Sequence, residues 1–345
     1  MSRMETDPID RTVAAEDQPP TDRPPAGLER RRRKRLTSIF QSAGTSLGLL
    51  GLIAVFGILR PDAFLTATNF RNVLEQCAIL AIVATTQTVV MIVNDFDLSV
   101  GSVASLAGCV TAALLVDGVP IVAAVIAGLL AGVAAGAVNG LLIGYLGLSA
   151  FVATLAMMTT VSGIAFTVVN GSTIFGLPDG FLVIGGEKVG ALPIPVLIAA
   201  VVAIVFTGVA SLTSFGRRLH AVGGNAEVAR LSGISVSQTR FFAFVISGLG
   251  AAIAGIVLVS RVTTAAADGG SSLMLQSIAA VFLGMTMFKG GVPNVPGTIV
   301  GVGILGVMSN GLNILEVSPF VQMMATGVII VLAVALSKFA SKSRA

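Results

Sequence analysis

From residue 38 onward the chain breaks into apolar runs of about 17–25 residues, the length a helix needs to cross a hydrocarbon core roughly 30 Å thick. Runs of that length restrict the fold more than any motif does. They are continuously apolar and lack the two-residue alternation of membrane strands, so helices are the spanning element. The hydropathy pattern predicts ten spans, at roughly 38–60, 72–93, 101–117, 120–145, 149–170, 193–213, 241–261, 273–288, 297–315 and 319–337. Polar residues and glycines at 94–101 and 289–297 are compatible with broken or re-entrant segments.

Charge supplies the orientation. With the N-terminus in the cytoplasm, an even number of spans returns the C-terminus there. Of the 21 Lys and Arg, only Arg60, Arg71, Lys188 and Arg261 then face outward. That distribution obeys the positive-inside rule. The net charge of +4 therefore reports topology and contact with anionic lipid, and gives no support for nucleic-acid binding. Residues 1–36 read as a disordered cytoplasmic tail, acidic and Pro-rich before the basic run RRRKR at 31–35. Residues 37–338 form the membrane domain, and 339–345 a second cytoplasmic tail. The basic cluster comes too late for a signal peptide.

Several chemistries are excluded by inspection. The chain has one His, no Gly-Lys pair for a phosphate loop, and two cysteines, Cys77 and Cys109, both inside predicted spans. No metal site, cofactor site or catalytic triad is expected, and any uphill transport must draw its energy from a partner or an ion gradient.

An internal correspondence links the halves. Asn139-Gly140-Leu141 followed by Ser149-Ala150-Phe151-Val152 matches Asn310-Gly311-Leu312 followed by Ser318-Pro319-Phe320-Val321. Small-residue helices precede both matches, and an offset of five spans inverts the second copy relative to the first. Inverted repeats of odd span number are a transporter architecture, with the pathway at the repeat interface. The glycines themselves are first of all packing residues.

The longest cytoplasmic connection, within 214–240, holds the polar stretch His220–Ile234. Asn225 is suited to N-cap a short helix over Ala226–Leu231, with Glu227 and Arg230 at i,i+3 and Gly233 as a left-handed C-cap. Gly223-Gly224 is read as a sharp turn into that helix. Val228 and Leu231 give it an apolar ridge, which suits docking on a partner better than resting on lipid.

The other polar interruption is Asn94-Asp95-Phe96-Asp97-Leu98-Ser99. A carboxylate at membrane depth needs a partner or a watery cavity. Asp97 and Ser99 stand where they can cap the third span, whereas Asp95 has no such role. Gln87, with Thr85, Thr86 and Thr88, supplies hydrogen-bonding groups for a hydroxylated solute. Gln87, Asn94, Asp95, Asp97 and Ser99 are therefore candidate pathway or gate residues.

The run FGRRLHAVGGNAEVARLSGI at 215–234 resembles the cytoplasmic coupling loop of bacterial ABC-importer permeases of the ribose/xylose/arabinose/galactose class. FDLSVGS at 96–102, SAFVATLAMMT at 149–159, IAAVFLG at 278–284, Gly290-Gly291, NGLNIL and VSPFVQ at 310–322 follow in that family's order, over nearly all of 65–337. Departures are Asn94-Asp95 where the family has Gly-Gly, Met274 and Gln276 where it has an acidic pair, and Ser162 where it often has Arg. They bear on the solute.

The resemblance implies an all-α integral membrane permease of about ten transmembrane helices in a 5+5 inverted repeat, in the bacterial inner membrane. It implies a second permease chain, in a homodimer or heterodimer, a cytoplasmic ATPase that performs the hydrolysis, and a periplasmic solute-binding protein. Gly223, Gly224, Asn225, Glu227, Arg230 and Gly233 then carry ATPase coupling. A small neutral sugar or polyol is the expected solute. The alternatives are an ion-coupled secondary transporter, for which Asp95 and Asp97 would be the membrane-embedded pair, or an ABC permease for a nucleoside or signalling furanosyl compound.

Overall fold

The computed structural model describes residues 47–285, 291–318, 320–328 and 331. The two tails, the start of the first predicted span, residues 286–288 of the eighth, Lys289 and Gly290, and most of 329–337 lie outside the described residues. Apolar periodicity and length make most of the described residues helical: α1 (Leu47–Leu59), α2 (Pro61–Phe64), α3 (Ala67–Ile92), α4 (Val100–Val116), α5 (Ile121–Gly140, continued by a π-turn over Leu141–Tyr145), α6 (Ala150–Val168) and α7 (Asp179–Gly186). After a two-stranded hairpin, Lys188–Val189 with Leu192–Pro193, come α8 (Ile194–Leu212), α9 (Ser214–Gly224), α10 (Ala226–Leu231), α11 (Val236–Val262), α12 (Ser271–Met285) and α13 (Val295–Ile314). Residues 320–328 are helical as well.

Among the described residues, six helices are long and apolar enough to cross a membrane: α3, α5 with its π-turn, α6, α8, α11 and α13. The apolar helices α1, α4 and α12 are shorter, so the third and eighth predicted spans are less than full-length crossings as described.

Burial separates an inner layer from an outer one. The most apolar window is 72% buried in α3 and 67% in α11, against 22% in α6 and 17% in α8, so α3 and α11 form the axis of the bundle. Small residues set the closest crossing. On α5, Gly132, Gly136 and Gly140 recur every four residues, and a Cβ on each would stand 2.6, 2.4 and 2.8 Å from the backbone oxygens of Gly248, Phe244 and Phe241 on α11. Backbones that approach this closely need glycine, as the sequence reading expected of these residues. The starts of α4 and α12 meet in the same way: a Cβ on Gly101 would lie 2.8 Å from the Gly270 oxygen, and one on Gly270 2.5 Å from the Gly101 oxygen.

Candidate functional site

Helices α9 and α10 are fastened to one end of this bundle. Thr213 N-caps α9 by accepting from the Gly216 N–H at 3.1 Å, and α9 buries Leu219 and Val222 against Val89, Val90, Ile92 and Val93 at the end of α3 and against Phe244 of α11. Its other face leaves Arg217, Arg218 and His220 exposed. Asn225 closes α9 and opens α10, accepting from the N–H groups of Glu227 at 3.0 Å and Val228 at 3.1 Å. The Glu227 carboxylate accepts from Arg230 at 2.6 Å. At the other end the Gly233 N–H donates to Arg230 O and the Ile234 N–H to Ala229 O, both at 3.0 Å, with Gly233 at φ +80°. These bonds form a Schellman cap, which makes six residues a rigid knob. Its ridge is uncovered: Val228 is 57% exposed and Leu231 79%.

One expectation is corrected. Gly223-Gly224 is not a turn; both residues are the last of α9, and neither has a positive φ. Gly223 is needed for proximity, because a Cβ there would stand 1.8 Å from the Ile92 oxygen. Gly224 faces open space, with nothing within 4 Å. The chain turns instead at Asn225, which is extended at φ −162°.

The segment between α3 and α4 lies against that junction, and its polar residues tie it to α5, α9 and α11. Asn94, in the left-handed region at φ 62°, donates its side-chain amide to the Gly223 oxygen. Asp95 pairs with Arg240 in the second turn of α11, Nε to Oδ2 at 3.0 Å, although the N–H is not aimed along that line. Asp97 is fully buried. Its Oδ1 accepts from the Ser99 N–H at 2.9 Å and the Ser99 hydroxyl at 2.6 Å, and its Oδ2 accepts from the Ser247 hydroxyl of α11 at 2.8 Å. The Ser99 hydroxyl in turn accepts from Asn139 of α5 at 2.9 Å. Ser99 is the α4 N-cap residue but makes no side-chain cap bond, and Asp97 binds the segment ahead of the helix rather than the first helical N–H groups.

Gln87 donates to the Asp97 carbonyl at 3.3 Å. Thr86 and Thr88 donate back to carbonyls of their own helix, and Thr88 also meets Thr298 of α13 at 2.8 Å. With Thr85 and Gln87 they are wholly enclosed by protein. Phe96 turns its ring outward, where it packs on Phe282 of α12 with centroids 6.0 Å apart.

The partners that sequence reasoning missed are Arg240, Ser247 and Asn139. Arg240 and Ser247 lie about 150 positions from the carboxylates they meet, with no local signal. Asn139 had one: it is the asparagine of the repeated Asn-Gly-Leu. Its counterpart Asn310 is also buried, and exchanges two amide bonds of 3.0 and 2.8 Å with Asn69 of α3.

Residues 69–334 match the family described as the permease component of the branched-chain amino acid transport system. The chain is 38% identical over 309 residues to the ribose import permease protein of Bacillus subtilis, covering 89% of this chain and 96% of that one. It is 34% identical over 300 residues to the D-allose transport system permease protein of Escherichia coli (87% and 92% covered), and 35% identical over 300 residues to the L-arabinose transport system permease protein of the same organism (85% and 92% covered). No solved structure matches the chain.

Proposed function

The chain belongs to the family of branched-chain amino acid transport system permease components, and from that premise we propose that it is the membrane permease subunit of an ATP-binding-cassette importer for a small neutral sugar or polyol. One observation carries the solute class: relatives named for ribose, allose and arabinose align along more than four-fifths of the chain. The charge pattern agrees. Arg71 and Arg261 share Glu75, each at 3.3 Å, and Arg240 faces Asp95, so each of these arginines already has a carboxylate beside it, although Glu75 serves two. An anionic solute would need free cations to replace its hydration. The Asp95/Asp97 pair that an ion-coupled carrier would use is likewise committed, to Arg240 and to Ser99 and Ser247.

The permease catalyses no bond chemistry. A separate cytoplasmic ATPase supplies the energy, a periplasmic binding protein delivers the solute, and a second permease chain completes the pathway. Ten spans in a 5+5 inverted repeat are the architecture we infer, supported by the two buried asparagines of the repeated Asn-Gly-Leu and by the paired approach of Gly101 and Gly270. Both termini and α9–α10 are placed in the cytoplasm by the positive-inside rule.

The knob at Asn225, Glu227, Arg230 and Gly233 docks on the ATPase through Val228 and Leu231, with Gly223 and Gly224 joining it to the bundle. Gln87, Asn94, Asp95, Asp97 and Ser99 form the cytoplasmic gate, whose backbone α9 moves directly because Asn94 and Ile92 contact Gly223. Reconstitution with the ATPase and binding protein tests the function: ATP-dependent uptake of ribose, allose or arabinose is expected, with ribose 5-phosphate excluded. Robust uptake of the phosphate ester with none of the three sugars accepted would refute it.

A further inference from the structure

Two adjoining cavities open between α3, α12 and α13. The smaller, about 190 Å³, has Gln76, Gln276, Ser309 and Arg261 in its wall; the larger, about 510 Å³, shares Gln276 and Ser309 and continues past Ser272 toward the helical residues 320–328. Gln276 and Ser309 thus stand at the junction. These side chains differ from most of the buried polar groups of the bundle, though Thr85 is also without a partner among the described residues. Thr86, Thr88, Ser105, Asn139, Thr154 and Asn310 are engaged with protein groups, whereas Gln76, Gln276 and Ser309 have no hydrogen-bond partner among the described residues. Two free amides and a hydroxyl converging on a cavity, in a chain this apolar, call for an occupant that hydrogen-bonds.

The wall describes that occupant. It offers uncharged donors and acceptors beside one charge of each sign, Arg261, which Glu75 meets at 3.3 Å, in the smaller cavity and Asp268 in the larger, and Leu80, Leu258 and Leu305 supply apolar surface between the polar groups. The larger cavity, and the two taken together, are of a size that suits a small ligand. Gln76 is sixteen residues before Ile92 on α3, about 24 Å along the axis from the α9 junction, so the chamber lies toward the face opposite the coupling helix. We propose that Gln76, Gln276 and Ser309 form a holding site for a neutral polyhydroxylated solute of monosaccharide size inside the permease. The site rests on the importer reading above and locates its solute away from Gln87, which is closed off in the Asp97 network.

The test uses the whole complex in proteoliposomes, with D-ribose, D-allose and L-arabinose as probes. Gln276→Leu, one heavy atom shorter and apolar, is expected to lower ATP-driven uptake of the fastest probe about five- to tenfold and to change the ratio of rates among the three, while the variant still co-purifies with its ATPase. A residue with only a packing role would not alter that ratio. If Gln276→Leu fails to co-purify, Ser309→Ala and Gln276→Glu carry the same measurement with less disturbance. Unchanged rates and ratios in assembled variants would overturn the site and leave the importer reading standing. A wild-type complex that moves none of the three sugars would overturn the sugar reading, and this site with it.

Discussion

Adjacent glycines at the end of α9 are expected to respond oppositely to the same methyl group. In Gly223→Ala the new Cβ would lie 1.8 Å from the Ile92 oxygen, 1.6 Å short of an ordinary 3.4 Å contact, and both atoms belong to backbones that other contacts fix. Leu219 and Val222 hold α9 from one side, and Asn94 ties Gly223 to the α3–α4 segment. Forced overpacking of this kind costs about 1–3 kcal/mol. In Gly224→Ala the methyl meets nothing within 4 Å, and replacing a helical glycine by alanine is worth up to about 1 kcal/mol. Thermal unfolding of the purified permease should therefore fall for the first variant and hold or rise for the second. Binding-protein-stimulated ATP hydrolysis by the complex should follow the same order, because only Gly223 touches the segment that carries Asp95 and Asp97. Equal effects of the two substitutions, or a neutral Gly223→Ala, would refute the close-packed junction.

Three further outcomes are expected. Asp97→Ala strips the acceptor from the Ser99 N–H and from the Ser99 and Ser247 hydroxyls and should destabilise the folded permease by about 3 kcal/mol or more, with Asp97→Asn intermediate; an Asn variant as unstable as the Ala one in thermal unfolding would contradict the shape-dependent network. Glu227→Gln breaks an exposed pair, so stability should change by less than about 0.5 kcal/mol while ATPase co-purification weakens; retained affinity for the ATPase would remove Glu227 from the docking surface. With Cys77 and Cys109 replaced by alanine, an impermeant thiol reagent on spheroplasts should label Gly180→Cys and spare Gly224→Cys; the reverse pattern, or labelling of both, would break the inferred topology.

What could be read in advance follows the range of each interaction. The α10 knob was legible to the residue, because Asn225, Glu227, Arg230 and Gly233 act on groups within four positions and capping chemistry has few solutions. The glycines of α5 were legible as packing residues for a related reason: a four-residue recurrence in a helix can only be one face.

Gly223 was misread because glycine breaks a helix by default, and the carbonyl that requires it belongs to Ile92, 131 positions earlier. Asp95 looked unaccounted for until Arg240 arrived beside it from the second turn of α11. Gln76, Gln276 and Ser309 were the least visible of all. Their significance is the lack of a partner, and a sequence displays which groups can bond but never which are left without one. In a membrane bundle that distinction bears directly on transport: a bonded hydroxyl such as Thr88 serves the fold, and only an unbonded one can exchange its partner with a passing solute.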